Sequence, residues 1–373
     1  MKKVLIVFGT RPEAIKMAPL VKEFQKFQKD FETKVCITAQ HREMLDQVLD
    51  FFNIKADYDL DLMKPGQNLN ELTSRILIDT RAVFESFRPD YIFVHGDTTT
   101  AMTSALSAFY SGCKVCHIEA GLRTWNKSSP FPEEVNRQII GRIADFHFAP
   151  TQKSRDNLLT ENVKDEDIVV TGNTVIDALF QSVERAKDFK STELDNLKKN
   201  IKNGKDIILV TGHRRENHGD GFLNICKALI EIAKRKPNVQ IIYPVHPNPN
   251  VLQPVKDLLG DIDNILLINP LSYPSFIWLM NQSKIILTDS GGVQEEAPSL
   301  GKPVLVMRNN TERPEAVAAG TVRLVGTDQY RIETEIFRLL NNEEDYQKMS
   351  ELHNPYGDGK ACERIVNAIR NTF

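Results

Sequence analysis

Short apolar runs alternate with longer, helix-like segments along almost the whole chain. The first pair consists of KKVLIVFGT (residues 2–10) and RPEAIKMAPLVKEFQKF (residues 11–27), in which Pro12 suits the first turn of a helix. The apolar runs are rich in β-branched residues and nearly continuous, as expected of parallel strands buried on both faces of a sheet. This alternation predicts an α/β fold made of βα units.

The alternation is interrupted once, at the polar, lysine-rich segment STELDNLKKNIKNGK (residues 191–205). It restarts with DIILVTGH (residues 206–213) and continues to TVRLVGT (residues 321–327). A chain of 373 residues is also longer than one hydrophobic core usually organises. The sequence therefore predicts two doubly wound α/β domains in tandem.

Charge and motif content exclude several classes of function. The net charge of −3 and the pI near 6.3 give no electrostatic case for binding nucleic acid or an anionic membrane. No apolar run approaches the roughly 20 residues needed to span a bilayer. No G-x-G-x-x-G follows a strand, no P-loop motif occurs and no convincing metal site is present, so the sequence predicts neither a nicotinamide cofactor nor a metal.

The five cysteines are scattered and odd in number, which suits a reducing cytoplasm. Cys113 and Cys116 form a C-x-x-C, but they stand where a turn enters a strand. Redox and zinc sites need a helix N-terminus or a second ligand pair, which this segment lacks. We interpret the two cysteines as structural.

Small and charged residues gather where the predicted strands end. In doubly wound sheets, ligands bind at the carboxyl ends of the strands. The strand ends that carry such residues are Gly9–Thr10–Arg11, Gly96–Asp97–Thr98, His117 to Arg123, Gly212 to Glu216, His246–Pro247 and Asp289 to Gly292. Because both halves of the chain contribute, the sequence predicts an active site in the cleft between the two domains.

Three carboxylates of the first half are candidates for acid–base chemistry. Asp97 could instead cap the following helix, and Glu133 has the usual place of an acid in the first turn of a helix. Glu119 lies in an apolar strand, where an unpaired carboxylate would be costly. Either Arg123 or another cation neutralises Glu119, or its pKa is tuned for proton transfer.

The second half contains a candidate phosphate-binding turn. Ser290, Gly291 and Gly292 end a strand and open a helix, so a hydroxyl and backbone N–H groups could meet a phosphate. Glu296, about one turn further on, could accept from ribose hydroxyls. A plain glycine-rich turn is the alternative. Arg11, Lys16 and Arg313 could neutralise a diphosphate, although Lys16 and Arg313 could instead be solvated residues near a helix start.

Motifs that follow one another through the whole chain resemble those of one enzyme family. They include FGTRPEAIKMAPL, VHGDTTT, HIEAGLRT, FPEEVNRQ, VTGNTVIDAL, TGHRREN, LTDSGGVQEEAPSLGKPVLVMR, TERPEAV and NPYGDGKACERI. This series resembles the non-hydrolysing UDP-N-acetylglucosamine 2-epimerases of bacterial surface-polysaccharide pathways. The resemblance implies a glycosyltransferase-B-like fold with two Rossmann-like domains, at residues 1–170 and 171–357. It also implies that a C-terminal helix, residues 358–373, completes the first domain.

The resemblance also implies a function and a set of site residues. Such enzymes interconvert UDP-GlcNAc and UDP-ManNAc as cytoplasmic homodimers, without a cofactor, by eliminating UDP to form 2-acetamidoglucal and adding it back. Motif by motif, Asp97, Glu119 and Glu133 match the catalytic carboxylates. Arg11, Lys16 and His213 match family residues near the diphosphate and sugar. Arg11 and His213 are also expected to assist catalysis. The family residues that contact UDP correspond here to Phe276, Ser290, Gly291, Gly292, Glu296 and Arg313.

Two further activities fit the same motifs. A hydrolysing epimerase would release free ManNAc, and a retaining glycosyltransferase would use a similar UDP site with an acceptor. The carboxylates of HIEAGLRT and FPEE argue against the transferase. Some members of the family are activated by a second UDP-GlcNAc molecule, and Gln40, His41 and Arg42 match the segment that binds it, so allosteric activation is a hypothesis.

Overall fold

A computed structural model describes residues 1–39, 42–62, 66–212, 214, 217 and 219–372. The chain divides into two compact units. Unit 1 comprises Met1–Ala178 together with Tyr356–Phe373, and unit 2 comprises Leu179–Pro355.

Unit 1 contains a parallel sheet with strands in the order β3-β2-β1-β4-β5-β6-β7. Its strands are β1 (Lys2–Phe8), β2 (Phe31–Ile37), β3 (Tyr58–Asp59), β4 (Tyr91–His95), β5 (Lys114–Ile118), β6 (Phe146–Ala149) and β7 (Ile168–Val170). Its helices are α1 (Arg11–Gln25), α2 (Arg42–Phe52), α3 (Leu69–Phe87), α4 (Thr99–Tyr110), α5 (Glu133–Ile143), α6 (Gln152–Thr160), the first part of α7 (Thr174–Asp188) and the C-terminal α16 (Ala361–Arg370).

Unit 2 contains a second parallel sheet, with strands in the order β10-β9-β8-β11-β12-β13. Its strands are β8 (Asp206–Thr211), β9 (Val239–Pro244), β10 (Ile265–Ile268), β11 (Ile285–Thr288), β12 (Val304–Val306) and β13 (Val322–Leu324). Its helices are α8 (Thr192–Asn200), α9 (Asp220–Arg235), α10 (Pro249–Leu259), α11 (Tyr273–Gln282), α12 (Gly291–Glu296), α13 (Pro314–Ala318), α14 (Gln329–Asn341) and α15 (Glu343–Ser350). Two parallel sheets of this kind confirm the predicted doubly wound α/β class.

The first βα turn of unit 1 is held by a capping box. The Thr10 hydroxyl accepts from the backbone N–H of Glu13, and the Glu13 carboxylate accepts in return from the N–H of Thr10. Pro12 lies in the first turn, as predicted, where its missing N–H has no helical partner to lose. The turn therefore fixes the entry of α1 and the place of Arg11 at its first position.

The C-terminal helix α16 belongs to unit 1 and packs against α1. Its buried side chains recur at helical spacing and form one apolar stripe: Ala361, Cys362, Ile365, Val366 and Ile369. Asp177, itself buried, accepts from the backbone N–H of Ala361 at 3.2 Å and of Cys362 at 2.9 Å. A side chain distant in sequence thus satisfies two N–H groups that the helix start leaves without intrahelical partners.

Replacing Asp177 by alanine should lower the free energy of unfolding of unit 1 by about 2–5 kcal/mol, because two buried N–H groups lose their acceptor. Asp177→Asn keeps one acceptor oxygen and should cost less. Urea unfolding curves give both values. The exposed Asp358, which pairs with Arg364 at 2.7 Å, provides the control, since Asp358→Ala should cost below about 1 kcal/mol. Equal losses for Asp177→Ala and Asp358→Ala would contradict the capping role.

The five cysteines are free and buried. Cys113 precedes β5 and Cys116 lies within it, and burial raises the pKa of the Cys113 thiol to about 12. Such thiols are poor nucleophiles at neutral pH. Among the helices that the structure describes, none is long and apolar enough to cross a membrane.

Candidate active site

The candidate site of unit 1 lies at the carboxyl edge of its sheet. Strands β1, β4 and β5 are neighbours and run parallel, so their carboxyl ends meet at one edge. The residues that follow them include Arg11, Asp97 and Glu119. Strand order therefore brings together three sequence segments that are far apart along the chain.

Glu119 follows β5 directly and has the left-handed backbone conformation, with φ at +62°. Few non-glycine residues adopt this conformation, which is costly unless the surroundings hold it. Its carboxylate is largely buried, and Oε2 accepts hydrogen bonds from the ammonium of Lys16 and from Nδ2 of Asn173, the latter at 2.8 Å. A buried carboxylate that is bonded in this way is stabilised as an anion.

The cation beside Glu119 is Lys16 and not Arg123. The side chain of Arg123 is fully buried and forms a two-pronged ion pair with Glu161, at 2.6 and 2.9 Å. The sequence-based suggestion that Arg123 neutralises Glu119 is therefore wrong. The alternative interpretation of Lys16 as a solvated helix residue is also wrong, because its ammonium is mostly buried against Glu119.

His95 ends strand β4, with Nε2 at 3.7 Å from Oε2 of Glu119. Burial lowers the pKa of His95 to about 4, and the Lys16 charge acts in the same direction while Glu119 opposes both. The imidazole is consequently neutral at pH 7. Of these two neighbours of Glu119, Lys16 is thus the one that is charged at this pH.

Asp97 pairs with Arg137, whose Nε and Nη2 atoms lie 2.8 and 2.6 Å from Oδ2. Burial raises the pKa of Asp97, and the charges of Glu119 and Glu133 add to this effect, whereas Arg137 opposes it. The helix that follows is capped by Thr98, so the interpretation of Asp97 as its N-cap is wrong. Asp97 and Glu119 are therefore electrostatically coupled carboxylates at one sheet edge.

Glu133 and Glu134 begin α5 but differ in environment. Glu134 is fully buried and accepts from the backbone N–H groups of Thr124 and Trp125 at 2.9 and 3.1 Å. Burial alone would raise its pKa, but these bonds and that from Arg137 lower it overall. Glu134 thus stabilises the loop that contains Thr124 and Trp125. Glu133 is half-buried at the first position of the helix, and its negative charge contributes to the raised pKa of Asp97.

Glu13 links two of these strand ends. Its Oε2 accepts from the N–H groups of Gly9 and Thr10 at 3.1 and 2.8 Å, and its Oε1 accepts from the Thr98 hydroxyl at 2.7 Å. The loop that carries Arg11 and the loop that carries Asp97 are therefore braced by one buried carboxylate. The TRPE motif indicated a capping box, but nothing local predicted the bond to Thr98.

In unit 2, the turn after β11 places Ser290 as the N-cap of α12, followed by Gly291 and Gly292. A Cβ added at Gly291 would meet no atom within 4 Å, and one at Gly292 would make ordinary contacts only. Neither glycine has a positive φ. Packing within the unit therefore does not require glycine here, so the pair suits the close approach of a ligand to the backbone.

The remaining unit 2 candidates lie on the nearby helices. Arg313 is the N-cap of α13, and its guanidinium pairs with the buried Glu295. Glu296 ends α12 and is half-buried, as is Phe276 on α11. Arg313 thus pairs with a residue of α12, the helix that begins with Gly291 and Gly292.

Three predicted site residues, Gln40, His41 and His213, lie outside the described residues. Arg42, the third member of the possible allosteric segment, begins α2 and pairs with Asp46 and Asp59 at 3.0 and 2.5 Å. Sequence analysis did not single out Asn173, Arg137 or His95. Asn173 follows a strand, β7, and that position was the signal that could have identified it.

The fold and the carboxylate cluster define an α/β protein of the doubly wound, Rossmann-like class. The family model for UDP-N-acetylglucosamine 2-epimerase matches residues 23–370. The chain is 58% identical over 371 residues to the UDP-N-acetylglucosamine 2-epimerase of Salmonella typhimurium, covering 99% of this chain and 98% of that protein. It is 56% identical over 373 residues to the Campylobacter jejuni protein of the same name, covering 99% and 97%. The chain belongs to the UDP-N-acetylglucosamine 2-epimerase family.

Solved structures agree with this assignment. The Neisseria meningitidis UDP-GlcNAc 2-epimerase bound to UDP-GlcNAc superposes with a TM-score of 0.88 at 52% identity, covering 99% of this chain and 100% of that one. The Methanocaldococcus jannaschii UDP-GlcNAc 2-epimerase in complex with UDP-GlcNAc and UDP has a TM-score of 0.77 at 33% identity, covering 99% of each chain. The family resemblance and the glycosyltransferase-B-like fold class are both confirmed.

Proposed function

We propose that this protein catalyses the reversible C2 epimerisation of UDP-GlcNAc to UDP-ManNAc. The main support is that Asp97 and Glu119 lie at one sheet edge, interact electrostatically and are each paired with a cation. The chain that carries them belongs to this epimerase family. The Neisseria meningitidis relative with UDP-GlcNAc bound supports the choice of substrate.

The C2 proton of a sugar is not acidic, so its direct removal and return would be slow. We propose that the C1–O bond breaks and its electron pair leaves with UDP. The C2 proton passes to a carboxylate, and a C1=C2 double bond forms in 2-acetamidoglucal. Protonation of C2 on the opposite face and re-addition of UDP at C1 complete the reaction. Paired carboxylates suit the oxocarbenium-like charge that develops.

The proposed proton handlers are Asp97, Glu119 and Glu133, without assignment to one direction. Glu119, bonded to Lys16 and Asn173, is suited to act as an anion. Burial raises the pKa of Asp97, so this carboxyl group holds a proton more readily than an ordinary aspartate. Environments that push the pKa values of two carboxyl groups apart are a common way to divide acid and base roles.

The proposed UDP contacts in unit 2 are Phe276, Ser290, Gly291, Gly292, Glu296 and Arg313. Support comes from Gly291, where glycine is not required by packing. Arg11, Lys16 and His213 are proposed near the diphosphate and sugar. Charge-assisted hydrogen bonds of about 1.5–3 kcal/mol each could stabilise the leaving diphosphate without a metal.

We further propose that the protein acts as a cytoplasmic homodimer and supplies ManNAc units for bacterial surface polysaccharide. Both proposals derive from the family resemblance. Activation by a second UDP-GlcNAc molecule through Gln40, His41 and Arg42 likewise stays a prediction.

Incubation with UDP-GlcNAc in D₂O, without an acceptor, tests the reaction. We expect NMR to show deuterium at C2 and a mixture that contains UDP-ManNAc, because the returning proton comes from solvent. Free ManNAc as the main product would instead indicate a hydrolysing epimerase. Intact UDP-GlcNAc without exchange at C2 would rule out epimerisation.

A further inference from the structure

The two oxygens of the Glu119 carboxylate lie in different environments. Oε2 accepts from the Lys16 ammonium and from Nδ2 of Asn173, and it also lies nearest to His95. Oε1 lies near Gly96, 3.7 Å from the position that a Cβ on Gly96 would occupy. Gly96 immediately precedes Asp97. Oε2 is therefore held by two donors, and the carboxylate lies beside the turn that carries the second carboxylate.

The orientation of the Asn173 amide follows from its other contacts. Its Oδ1 accepts from the backbone N–H of Val175 at 3.1 Å. A backbone N–H can only donate, so this atom must be the oxygen, and Nδ2 must face Glu119. Asn173 is buried, with 3% of its surface exposed, and its own N–H donates to the carbonyl of Tyr356 at 2.7 Å. The donor is thus fixed in place before any substrate binds.

We propose that Asn173 is a positioning residue that holds Oε2 of Glu119 and so keeps this carboxylate aligned for exchange of the C2 proton. The proposal rests on the epimerisation put forward above. A carboxylate that rotates would lose its alignment with C2, whereas a fixed donor at Oε2 restricts that rotation. Asn173 acts through Glu119 and needs no contact with the sugar.

Among the described residues, charged and titratable groups on three elements face Glu119. Lys16 approaches from α1, His95 from the end of β4, and Asp97 from the turn after β4. His95 is neutral at pH 7, so Lys16 and Asn173 together balance the repulsion from Asp97. An added negative charge at position 173 would upset this balance and disfavour the ionised form of Glu119.

Two variants separate this role from a purely structural one. Asn173→Ser and Asn173→Asp both retain a side-chain acceptor for the Val175 N–H, so the start of α7 keeps its cap. Asn173→Ser loses the amide Nδ2 that reaches Glu119, and its shorter hydroxyl is taken up by the Val175 N–H. We expect kcat to fall about 10–100-fold with KM within about threefold, from the loss of one charge-assisted bond. Asn173→Asp should in addition move the acidic limb of the kcat/KM profile to higher pH by about one unit.

The control is Asn264→Ser in unit 2, a buried asparagine whose Nδ2 donates to the carbonyls of Ala233 and Val239. It should lower stability while the pH profile stays unchanged. Wild-type kcat and pH profile in both Asn173 variants would overturn the positioning role, even if wild-type enzyme exchanges deuterium at C2. Absence of that exchange in the wild-type enzyme would overturn the proposed epimerisation, and the positioning role with it.

Discussion

Replacing Glu119 by glutamine should lower the rate of deuterium incorporation at C2 of UDP-GlcNAc by about 10²–10⁴-fold, the usual contribution of a general acid or base. Glutamine keeps the size of the side chain and can still accept from Lys16 and Asn173, so the fold should persist. Binding of UDP, for which we propose contacts in unit 2, should change little because Glu119 belongs to unit 1. NMR exchange rates and UDP titration measure the two effects separately.

The matched control is Glu161→Gln, which alters a second buried ion pair of the same unit. Glu161 binds the fully buried Arg123, so the variant leaves a buried guanidinium without its counter-charge and should cost about 3–5 kcal/mol of stability. Its exchange rate per folded molecule should stay close to wild type. If Glu119→Gln unfolds unit 1 and Glu161→Gln has the same effect on exchange, Glu119 is a structural residue.

Acid should destabilise unit 1 steeply between about pH 6.5 and pH 4. Three buried histidines occupy neighbouring strands: His95 on β4, His117 on β5 and His147 on β6, the last two being register partners. Burial lowers their pKa values to about 4, 3 and 4. His117 donates from Nε2 to the Gly96 carbonyl at 2.7 Å, as a neutral imidazole can.

The direction follows from proton binding. Below about pH 6.5, the ordinary pKa of histidine, the unfolded chain binds protons that the folded histidines do not bind. The contribution of these histidines to the stability of unit 1 is therefore fully present above that pH and is lost as the pH falls towards 4. Each histidine contributes a slope of about 1.4 kcal/mol per pH unit near pH 5, or about 4 kcal/mol for three. The raised pKa values of Glu13, Asp97 and Asp177 act in the opposite direction.

The variant His147→Leu isolates one of these contributions. Unfolding of unit 1 can be followed in urea by Trp125 fluorescence in a Trp278→Phe background, since Trp278 belongs to unit 2. Whatever the stability of His147→Leu at pH 7, its slope near pH 5 should be lower by about 1.4 kcal/mol per pH unit. An unchanged slope would mean that His147 titrates normally in the folded protein.

Local patterns predicted the architecture because apolar periodicity and turn residues act over short stretches of chain. The strands from KKVLIVF to TVRL, the helix start at Arg11 and the strand-end placement of Asp97 and Glu119 all follow from such patterns. Strand order depends instead on how helices cross between strands, which no single segment encodes. It is this order that places β1, β4 and β5 side by side.

The partners of the site residues were harder to predict than the residues themselves. Lys16 and Glu119 are 103 positions apart, and Asn173 lies a further 54 positions along the chain from Glu119. Arg123, only four residues from Glu119, was the natural candidate by sequence, yet it pairs with Glu161. Identifying the correct cation needs the three-dimensional path of α1 across the sheet.

The return of α16 to unit 1 has a consequence for biosynthesis. During translation, all of Leu179–Pro355 leaves the ribosome before Tyr356 does. Unit 2 can therefore fold while unit 1 still lacks α16, with the surface of α1 that packs against α16 uncovered and Asp177 without its partners at Ala361 and Cys362. A nascent chain stalled shortly before Tyr356 should thus expose this apolar surface to chaperones, although most of its sequence has been made.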